Sequence, residues 1–328
     1  MPELPAVGPL LPAGTDLAGY RILGVLGRGT TSVVYQAGNP RLGNVIALKV
    51  LDPELAADDA SRTRFLEESR IAAALNHPHV IPIHDMGAAD GLLYIAMRQV
   101  AGTDLRRLLG EAGRLPPSRA VALLVQAARA LDAAHRKGLV HRDVKPGNLL
   151  VEEGAEGADG EPGHVYLTDF GITKVSSART GLTSPGEFVG TVDYIAPEQI
   201  RGISVTGLAD QYSLGCVLYH CLTGRLPFSK DADAAVIFAH VQERPPPPSS
   251  VCPDLPEALD AVLARALAKQ PGDRYPCCRE LMEAAAGALA AGDDGAATGD
   301  VASISDGRQA ARSVRDNARG DRPAPADP

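Results

Sequence analysis

The chain has 328 residues, a formal net charge of −8 at pH 7 and 45% hydrophobic residues. This apolar content can fill one large domain or two modest lobes, and the acidic balance, with no basic stripe, argues against nucleic-acid binding. The five cysteines form no Cys-x-x-Cys pair, which is typical of reduced thiols and predicts a cytoplasmic protein. We find no signal peptide and no apolar run of about 18 residues, so no membrane span is expected.

The first hundred residues are predicted to form mainly strands. Residues 1–18 are rich in Pro and Gly and are expected to be a flexible lead-in. One helix is predicted over 61–76, before Pro78. Clusters of β-branched and aromatic residues predict strands over 20–23, 32–37, 45–50 and 92–97.

Beyond Val100 the pattern becomes helical. Apolar residues at helical spacing predict helices over 117–137, 210–222, 255–269 and 279–290. We therefore expect an α+β fold of two lobes, with a small β-rich lobe over 19–100 and a larger helical lobe over 101–290. The segment 152–163 and the tail 291–328 contain few large apolar residues and are predicted to be disordered.

A pair of glycines lies between the first two predicted strands, in Gly27-Arg28-Gly29. Glycine lets the backbone approach a phosphate without a clash from a side chain. A dinucleotide-binding fold would continue into a helix, and a P-loop would contain Gly-Lys-Ser or Gly-Lys-Thr, and neither follows here. A phosphate-covering turn and an ordinary hairpin turn both remain open from this segment alone.

Two charged residues occupy predicted apolar surfaces. Lys49 lies in a strand, where an isolated lysine is usually a solvated edge residue. In the helix, Glu68 shares a face with apolar residues, whereas Glu67 lies about 100° away. A carboxylate in an apolar stripe needs a counter-charge, and we expect Lys49 to supply it. The apolar residues predicted on this face are Phe65, Ile71, Ala72 and Leu75.

The centre of the chain reads His141-Arg142-Asp143-Val144-Lys145-Pro146-Gly147-Asn148. This spacing suits phosphoryl transfer, because Asp143 can accept the proton of an attacking hydroxyl and Lys145 can hold the charge of the moving phosphoryl group. The side-chain oxygen of Asn148 can bind a metal ion. About 20 residues later, Asp169-Phe170-Gly171 follows a predicted strand, and Ala196-Pro197-Glu198 comes after it.

Taken in order, these motifs resemble those of eukaryotic-type protein kinases, whose signatures include H-R-D-L-x-x-x-N, D-F-G and A-P-E. The resemblance covers roughly residues 19–290 and is closest to the Hanks-type serine/threonine kinases of bacteria, in particular of actinobacteria. It implies the bilobal protein-kinase fold. Two departures are Val144 in place of Leu and Ser32 in place of a third glycine.

The resemblance also implies a set of functional residues. ATP with Mg²⁺, or alternatively Mn²⁺, would be the cofactor, and Asn148 and Asp169 would hold the metal. Asp210 would anchor the catalytic loop, and Arg274 would pair with Glu198. The nucleotide site would consist of Leu26, Gly27, Gly29, Val34, Ala47, Lys49, Glu68, Met97, Asn148 and Asp169.

Met97 would be the gatekeeper of that nucleotide site. The hinge residues that follow it, Arg98-Gln99-Val100, depart from the Glu-Tyr-Val that is frequent in related kinases.

Lys145 is typical of kinases that phosphorylate serine or threonine. The resemblance therefore predicts phosphorylation of other proteins and of the chain itself, with a dimer as a further expectation. A phosphate on Thr183, or else on Thr180 or Ser184, would dock on Arg142. A nucleotide-binding scaffold of the pseudokinase type and a small-molecule kinase are the alternatives. The complete catalytic set disfavours the first, and the segment 190–198, suited to peptide docking, disfavours the second. The histidines at 77, 79 and 84 are expected to be structural.

Overall fold

The computed structural model describes residues 10–29, 31–152, 163–170 and 192–291, apart from the side chain of Leu55. The predicted phosphorylation sites Thr180, Thr183 and Ser184 lie outside these ranges. The predicted disordered segments 152–163 and 291–328 also lie outside them, apart from residues 152, 163 and 291.

A six-stranded antiparallel sheet forms the N-terminal lobe. Its order is β1-β2-β3-β4-β6-β5, so β4 and β6 lie next to each other although two helices and β5 separate them in sequence. Alternating apolar residues of β2, β3 and β4 cover one core, which explains why the sequence pattern located these strands. The strands are β1 (Asp16–Leu17), β2 (Tyr20–Arg28), β3 (Ser32–Asn39), β4 (Asn44–Leu51), β5 (Ile83–Ala89) and β6 (Leu92–Arg98).

The predicted lead-in is partly wrong, because its described part packs on this sheet. Leu17 of β1 is only 2% exposed, and the Leu11 backbone N–H donates to the Tyr35 hydroxyl at 3.1 Å. Burial of apolar side chains therefore outweighs the turn-forming tendency of the neighbouring Pro and Gly.

Two helices, α1 (Pro53–Ala57) and α2 (Asp59–Ala73), connect β4 to β5. The Asp58 carboxylate accepts the backbone N–H of Ser61 at 2.9 Å, so α2 begins two residues before the predicted start at 61. It also ends three residues earlier than the predicted end at 76. The backbone N–H of Ala74 closes the last turn on the Arg70 carbonyl at 3.1 Å.

The C-terminal lobe is mainly helical and contains the larger core. A small sheet, β7-β8-β9, lies at its edge facing the first lobe. The long helices confirm the predicted ones with shifted ends. The elements are β7 (Thr103–Asp104), α3 (Leu105–Ala112), α4 (Pro117–His135), β8 (Leu149–Glu152), β9 (His164–Leu167), α5 (Pro197–Ile200), α6 (Gly207–Thr223), α7 (Asp233–Gln242), α8 (Pro248–Val251), α9 (Ala258–Ala266) and α10 (278–291).

Helix α6 runs through the centre of this lobe, and nearly all of its residues are buried. It begins three residues before the predicted Asp210, because the Thr206 hydroxyl accepts the Leu208 N–H and caps it. Across the described parts of the chain, no helix has both the length and the apolar character that a membrane crossing needs.

The chain crosses from one lobe to the other after β6. Gly102 lies so close to the Val151 carbonyl of β8 that a Cβ atom at this position would overlap it. The backbone N–H of Ile81 donates to the Leu167 carbonyl at 3.0 Å, and the backbone N–H of Leu167 donates to the His79 carbonyl at 2.8 Å. These two hydrogen bonds join the segment before β5 to strand β9. The junction predicted near 98–102 is therefore a close contact between backbones.

Candidate active site

The loop between α4 and β8 is held by a buried carboxylate of α6. Asp210 accepts the backbone N–H groups of His141 and Arg142, each at 2.7 Å, and lies 2.7 Å from Nε2 of His135. Arg142 has a φ of 63°, a left-handed conformation that is costly for a residue with a side chain. The two charge-assisted hydrogen bonds stabilise that conformation, so Asp210 anchors the loop as the resemblance implied.

The three predicted polar residues of this loop converge. The Lys145 ammonium lies 2.8 Å from Oδ2 of Asp143. The Asn148 side-chain N–H donates to the Asp143 carbonyl at 2.7 Å and to its Oδ2 at 3.2 Å. Asn148 sits in a single 3₁₀ turn, Pro146–Asn148, that bends the chain back towards Asp143. The carboxylate is thus fixed in orientation beside a positive charge.

Asp169 joins this group from the end of β9. The backbone N–H of Thr168 donates to the Asn148 carbonyl at 3.0 Å, and the Thr168 carbonyl lies 2.9 Å from Nε2 of His141. Phe170 is buried, with its ring 4.9 Å from that of His141. Asp169 itself has a φ of 59°, which turns its carboxylate towards the other lobe. It meets Lys49 of β4 there, with Nζ and Oδ1 2.8 Å apart.

The predicted pairing of Lys49 with Glu68 is wrong in this structure. Among the ion pairs of the described residues, Lys49 pairs with Asp169 and none joins it to Glu68. Glu68 is half-buried, and burial raises the pKa of its carboxyl, opposed by the charges of Arg142 and Arg64. Asp169 already supplies the counter-charge that the buried Lys49 requires.

The orientation of α2 explains this difference. Its fully buried residues are Phe65, Ser69 and Ala72, whereas the predicted inward residue Ile71 is 45% exposed. Glu67 is exposed and Glu68 partly buried, as predicted. The buried stripe therefore runs through Ser69, with Glu68 at its edge.

The predicted nucleotide residues of the first lobe line up across adjacent strands. Gly27 of β2, Val34 of β3 and Lys49 of β4 are successive register partners. The Gly29 N–H donates to the Ser32 carbonyl at 2.8 Å and closes the turn between β2 and β3. Leu26, next to Gly27, is half-exposed.

An apolar cluster joins this sheet to the second lobe. Ala47 and Met97 are register partners on β4 and β6, and both are buried. Ile81 and Tyr166 complete the buried cluster, and Val34, Val100 and Leu150 pack against it. The Thr168 hydroxyl contacts the Met97 sulfur at 3.8 Å. Such a surface, next to Lys49, suits a flat apolar ring such as adenine.

Sequence reasoning missed Leu150 in this cluster. Its neighbours on β8, Leu149 and Val151, face the core of the second lobe, whereas Leu150 faces the cleft. Strict alternation along a strand carries this signal, because adjacent side chains point to opposite faces.

Metal-binding capacity rests on Asn148 and Asp169. The Asn148 amide nitrogen donates to Asp143, which leaves the amide oxygen as the atom that can face a cation. Amide and carboxylate oxygens are the donors that Mg²⁺ prefers, so both side chains suit that ion.

Elsewhere in the described chain, one group of three potential ligands occurs, formed by Asp132, His135 and Cys278. Asp132 already accepts two backbone N–H groups, and His135 is already hydrogen-bonded to Asp210. None of the histidines at 77, 79 and 84 belongs to this group.

Glu198 and Arg274 form the second predicted pair. Their two nitrogen–oxygen contacts measure 2.7 and 2.8 Å, and both side chains are almost completely buried. Arg274 also donates to the carbonyls of Ala268 and Leu208, each at 2.8 Å. This pair ties α5 to the segment before α10.

The chain is similar in sequence to several known proteins. The chain is 45% identical over 285 residues to the serine/threonine-protein kinase PknE of Mycobacterium tuberculosis, covering 87% of the chain and 49% of PknE. It is 42% identical to PknD of the same species over 286 residues, covering 87% of the chain and 42% of PknD. The chain thus spans about half the length of these curated relatives.

Solved structures and a family model extend the comparison. The crystal structure of the M. tuberculosis PknI kinase domain matches with a TM-score of 0.68 and 37% identity, covering 85% of this chain and all of that one. The family model described as "Protein kinase domain" matches residues 20–285. The chain therefore belongs to the protein kinase family and has the bilobal fold of that family.

Proposed function

We propose that the chain is a serine/threonine protein kinase that transfers the γ-phosphoryl group of ATP to hydroxyl groups of other proteins. One observation carries the proposal: Lys145 and Asn148 both contact the Asp143 carboxylate, within 3.2 Å, on a loop anchored by Asp210. The relatives named serine/threonine-protein kinases support the acceptor class.

The residues divide the reaction between them. Asp143 orients the acceptor hydroxyl and accepts its proton, and Lys145 holds the charge of the phosphoryl group in transit. Asn148 and Asp169 would hold Mg²⁺, with Mn²⁺ as a substitute. When bound, the ion neutralises phosphate charge. Lys49, whose ammonium lies next to Asp169, would bind phosphates of the nucleotide.

The proposal includes autophosphorylation of the segment between Asp169 and Glu198, within a dimer of the chain. Thr183 is the favoured site, followed by Thr180 and Ser184, and a phosphate there would dock on Arg142. Phosphopeptide mapping after incubation with ATP checks this. If Ser176, Ser177, Thr180, Thr183 and Ser184 all stay unmodified, the switch is refuted.

We also place the activity in the cytoplasm. All five cysteines are free thiols, and Cys216, Cys221 and Cys278 are buried, with thiol pKa values that burial raises. Thiols of this kind suit a reducing compartment.

The test of catalysis compares the wild type with Asp143→Asn in an assay with radiolabelled ATP and a protein acceptor. Removing a general base lowers the rate by roughly 10²–10⁴-fold, so incorporation should nearly vanish. Asp90→Asn makes the same chemical change in the exposed turn between β5 and β6 and should leave incorporation unchanged. Circular dichroism checks that both variants fold. Equal incorporation in wild type and Asp143→Asn would refute the proposed mechanism, and incorporation no higher than background in both would favour the scaffold alternative.

A further inference from the structure

The hinge carries a side chain that reaches from one lobe into the other. Arg98, the last residue of β6, donates through Nη1 to the Tyr166 hydroxyl at 2.7 Å. Its Nη2 lies 3.0 and 3.1 Å from the two carboxylate oxygens of Glu152. The Tyr166 hydroxyl in turn donates to Glu152 at 3.3 Å. We call these three residues the hinge clamp.

The next residue, Gln99, contacts the first lobe instead of the second. Gln99 accepts a hydrogen bond at 3.3 Å from the side chain of Gln36, which lies on β3 in the first lobe. The Arg98 backbone N–H donates to the Pro82 carbonyl at 2.9 Å. Two adjacent hinge residues therefore hold different lobes. They stand at the two positions where the sequence departs from the Glu-Tyr pattern of related kinases.

Tyr166 connects the clamp to the cleft. Its ring belongs to the buried cluster with Ala47 and Met97, against which Leu150 packs. Its hydroxyl, at the other end of the same ring, holds Arg98 and Glu152. A change in the position of the Arg98 side chain therefore acts on the wall of the apolar cluster through one rigid aromatic ring.

The clamp is too exposed to act mainly through global stability. The side chains of Arg98 and Glu152 are 42% and 25% exposed, and ion pairs of this kind contribute little to folding. The hinge clamp instead affects geometry. The three hydrogen bonds that Arg98 donates to Tyr166 and Glu152 join the two lobes and restrict the angle between them. In the same structure the cleft is closed far enough for Lys49 and Asp169 to touch across it.

We propose that Arg98 is a positioning residue for nucleotide binding. Through Glu152 and Tyr166 it holds the hinge at the angle that assembles the cleft, and so slows the release of nucleotide. The idea rests on the proposed use of ATP. A preorganised site binds more tightly because less ordering is required on binding, and the difference is expected mainly in the dissociation rate.

The experiment measures release of a fluorescent N-methylanthraniloyl derivative of ADP, with Mg²⁺, from the full chain by stopped-flow chase. Arg98→Ala should raise the dissociation rate and the Kd by about three- to tenfold. Tyr166→Phe, which removes only the hydroxyl, should shift both in the same direction by less. In a kinase assay the KM for ATP should rise to a similar extent, while kcat at saturating ATP should not fall.

Two controls separate positioning from a general effect of charge. Arg107→Ala removes an exposed arginine that pairs with Glu111 at 2.8 Å on α3, and should leave release unchanged. Exchanging the partners, Arg98→Glu with Glu152→Arg, should recover more than half of the loss seen in either single variant. Unchanged release in Arg98→Ala, or an exchange variant no better than its parents, overturns the proposal. A wild type that binds the ADP derivative without phosphorylating protein would contradict the proposed function alone.

Discussion

Lys49 forms one of the ion pairs that join the two lobes, the one inside the cleft. In this structure its ammonium neutralises Asp169, and Glu68 keeps a carboxyl whose pKa is raised by burial. The proposed metal would compete with Lys49 for the Asp169 carboxylate. Lys49 would then require a new counter-charge, and Glu68 lies at the edge of the same buried stripe. Catalysis should therefore depend on Glu68 although it makes no contact with Lys49 here.

Neighbouring glutamates provide a matched test of that dependence. We expect Glu68→Gln to lower kcat/KM for ATP by at least about tenfold, because each tenfold change needs only about 1.4 kcal/mol of lost stabilisation. Glu67→Gln, one residue away on the exposed face, should change it by less than about twofold. Steady-state kinetics at varied ATP measures both. Equal activity of the two variants would mean that Glu68 has no part in the active arrangement.

The pair of Glu198 and Arg274 should control stability. Removing one partner leaves an uncompensated buried charge, which costs about 3–5 kcal/mol. We expect Arg274→Met to lower the free energy of unfolding in urea by about that amount. Because Glu198→Met with Arg274→Met removes both charges, the double variant should be more stable than Arg274→Met. An Arg274→Met chain within about 1 kcal/mol of wild type would contradict this assignment.

At the scale of elements, capping decides where helices begin, and some caps come from distant parts of the chain. Both carboxylate oxygens of Asp132, on α4, accept backbone N–H groups of Cys278 and Arg279 at the start of α10, each at 3.0 Å. One side chain thus satisfies two donors that the first turn of a helix leaves unpaired. It also fixes α10 against α4.

We expect Asp132→Ala to lower the free energy of unfolding by about 1–2 kcal/mol, towards the upper end of the range for helix caps because the site is largely buried. Asp58→Ala removes the comparable cap of α2, which is exposed, and should cost less. Urea unfolding of both variants gives the comparison. A loss of less than about 0.5 kcal/mol in Asp132→Ala would show that its two hydrogen bonds do not stabilise the start of α10.

The sequence predicted those elements whose signals are local. Contiguous motifs predict the loop over 141–148, alternation predicts the strands, and the predicted face of α2 is correct at Phe65 and Ala72. Ile71 was predicted inward and is exposed, because helical periodicity defines a stripe but not which of its edges meets the protein. Asp132 and Cys278 are 146 residues apart, so no periodic pattern reports their contact.

The sequence marks Arg98 as unusual, because it departs from the family pattern at the hinge. Nothing in the sequence identifies the residues that Arg98 contacts. Glu152 and Tyr166 are recognisable only once β8 and β9 stand beside the hinge. The Lys49 pairing failed for a related reason: two carboxylates competed for one ammonium, and composition does not rank them.

On the scale of the whole molecule, two cores lie on either side of a cleft whose walls meet at Ala47, Met97 and Tyr166. The larger core contains ionisable groups that the proposed reaction does not use. His240 of α7 is fully buried, its Nδ1 lies 2.9 Å from the Tyr212 hydroxyl, and its ring packs on Phe228. Burial, with Lys269 nearby, lowers the pKa of His240 to about 4.

This neutral histidine should make the fold sensitive to acid. Between about pH 6.5 and 4 the unfolded chain binds a proton at this position and the folded chain does not, so stability falls as pH falls. The pKa values of His77, His79 and His220 are lowered as well and act in the same direction. Raised carboxyl pKa values, at Glu68 and Asp193, act in the opposite direction and offset part of the loss.

Urea unfolding at about pH 7 and about pH 4.5 should therefore show a loss to which His240 contributes roughly 2–3 kcal/mol, since each pKa unit corresponds to about 1.4 kcal/mol. His240→Gln keeps a side chain that can accept from Tyr212 but cannot bind a proton in this range. We expect the variant to be less stable than wild type near neutrality and to lose less on acidification. Parallel losses in the two proteins would place the acid sensitivity outside His240, because a residue that does not titrate cannot contribute a slope.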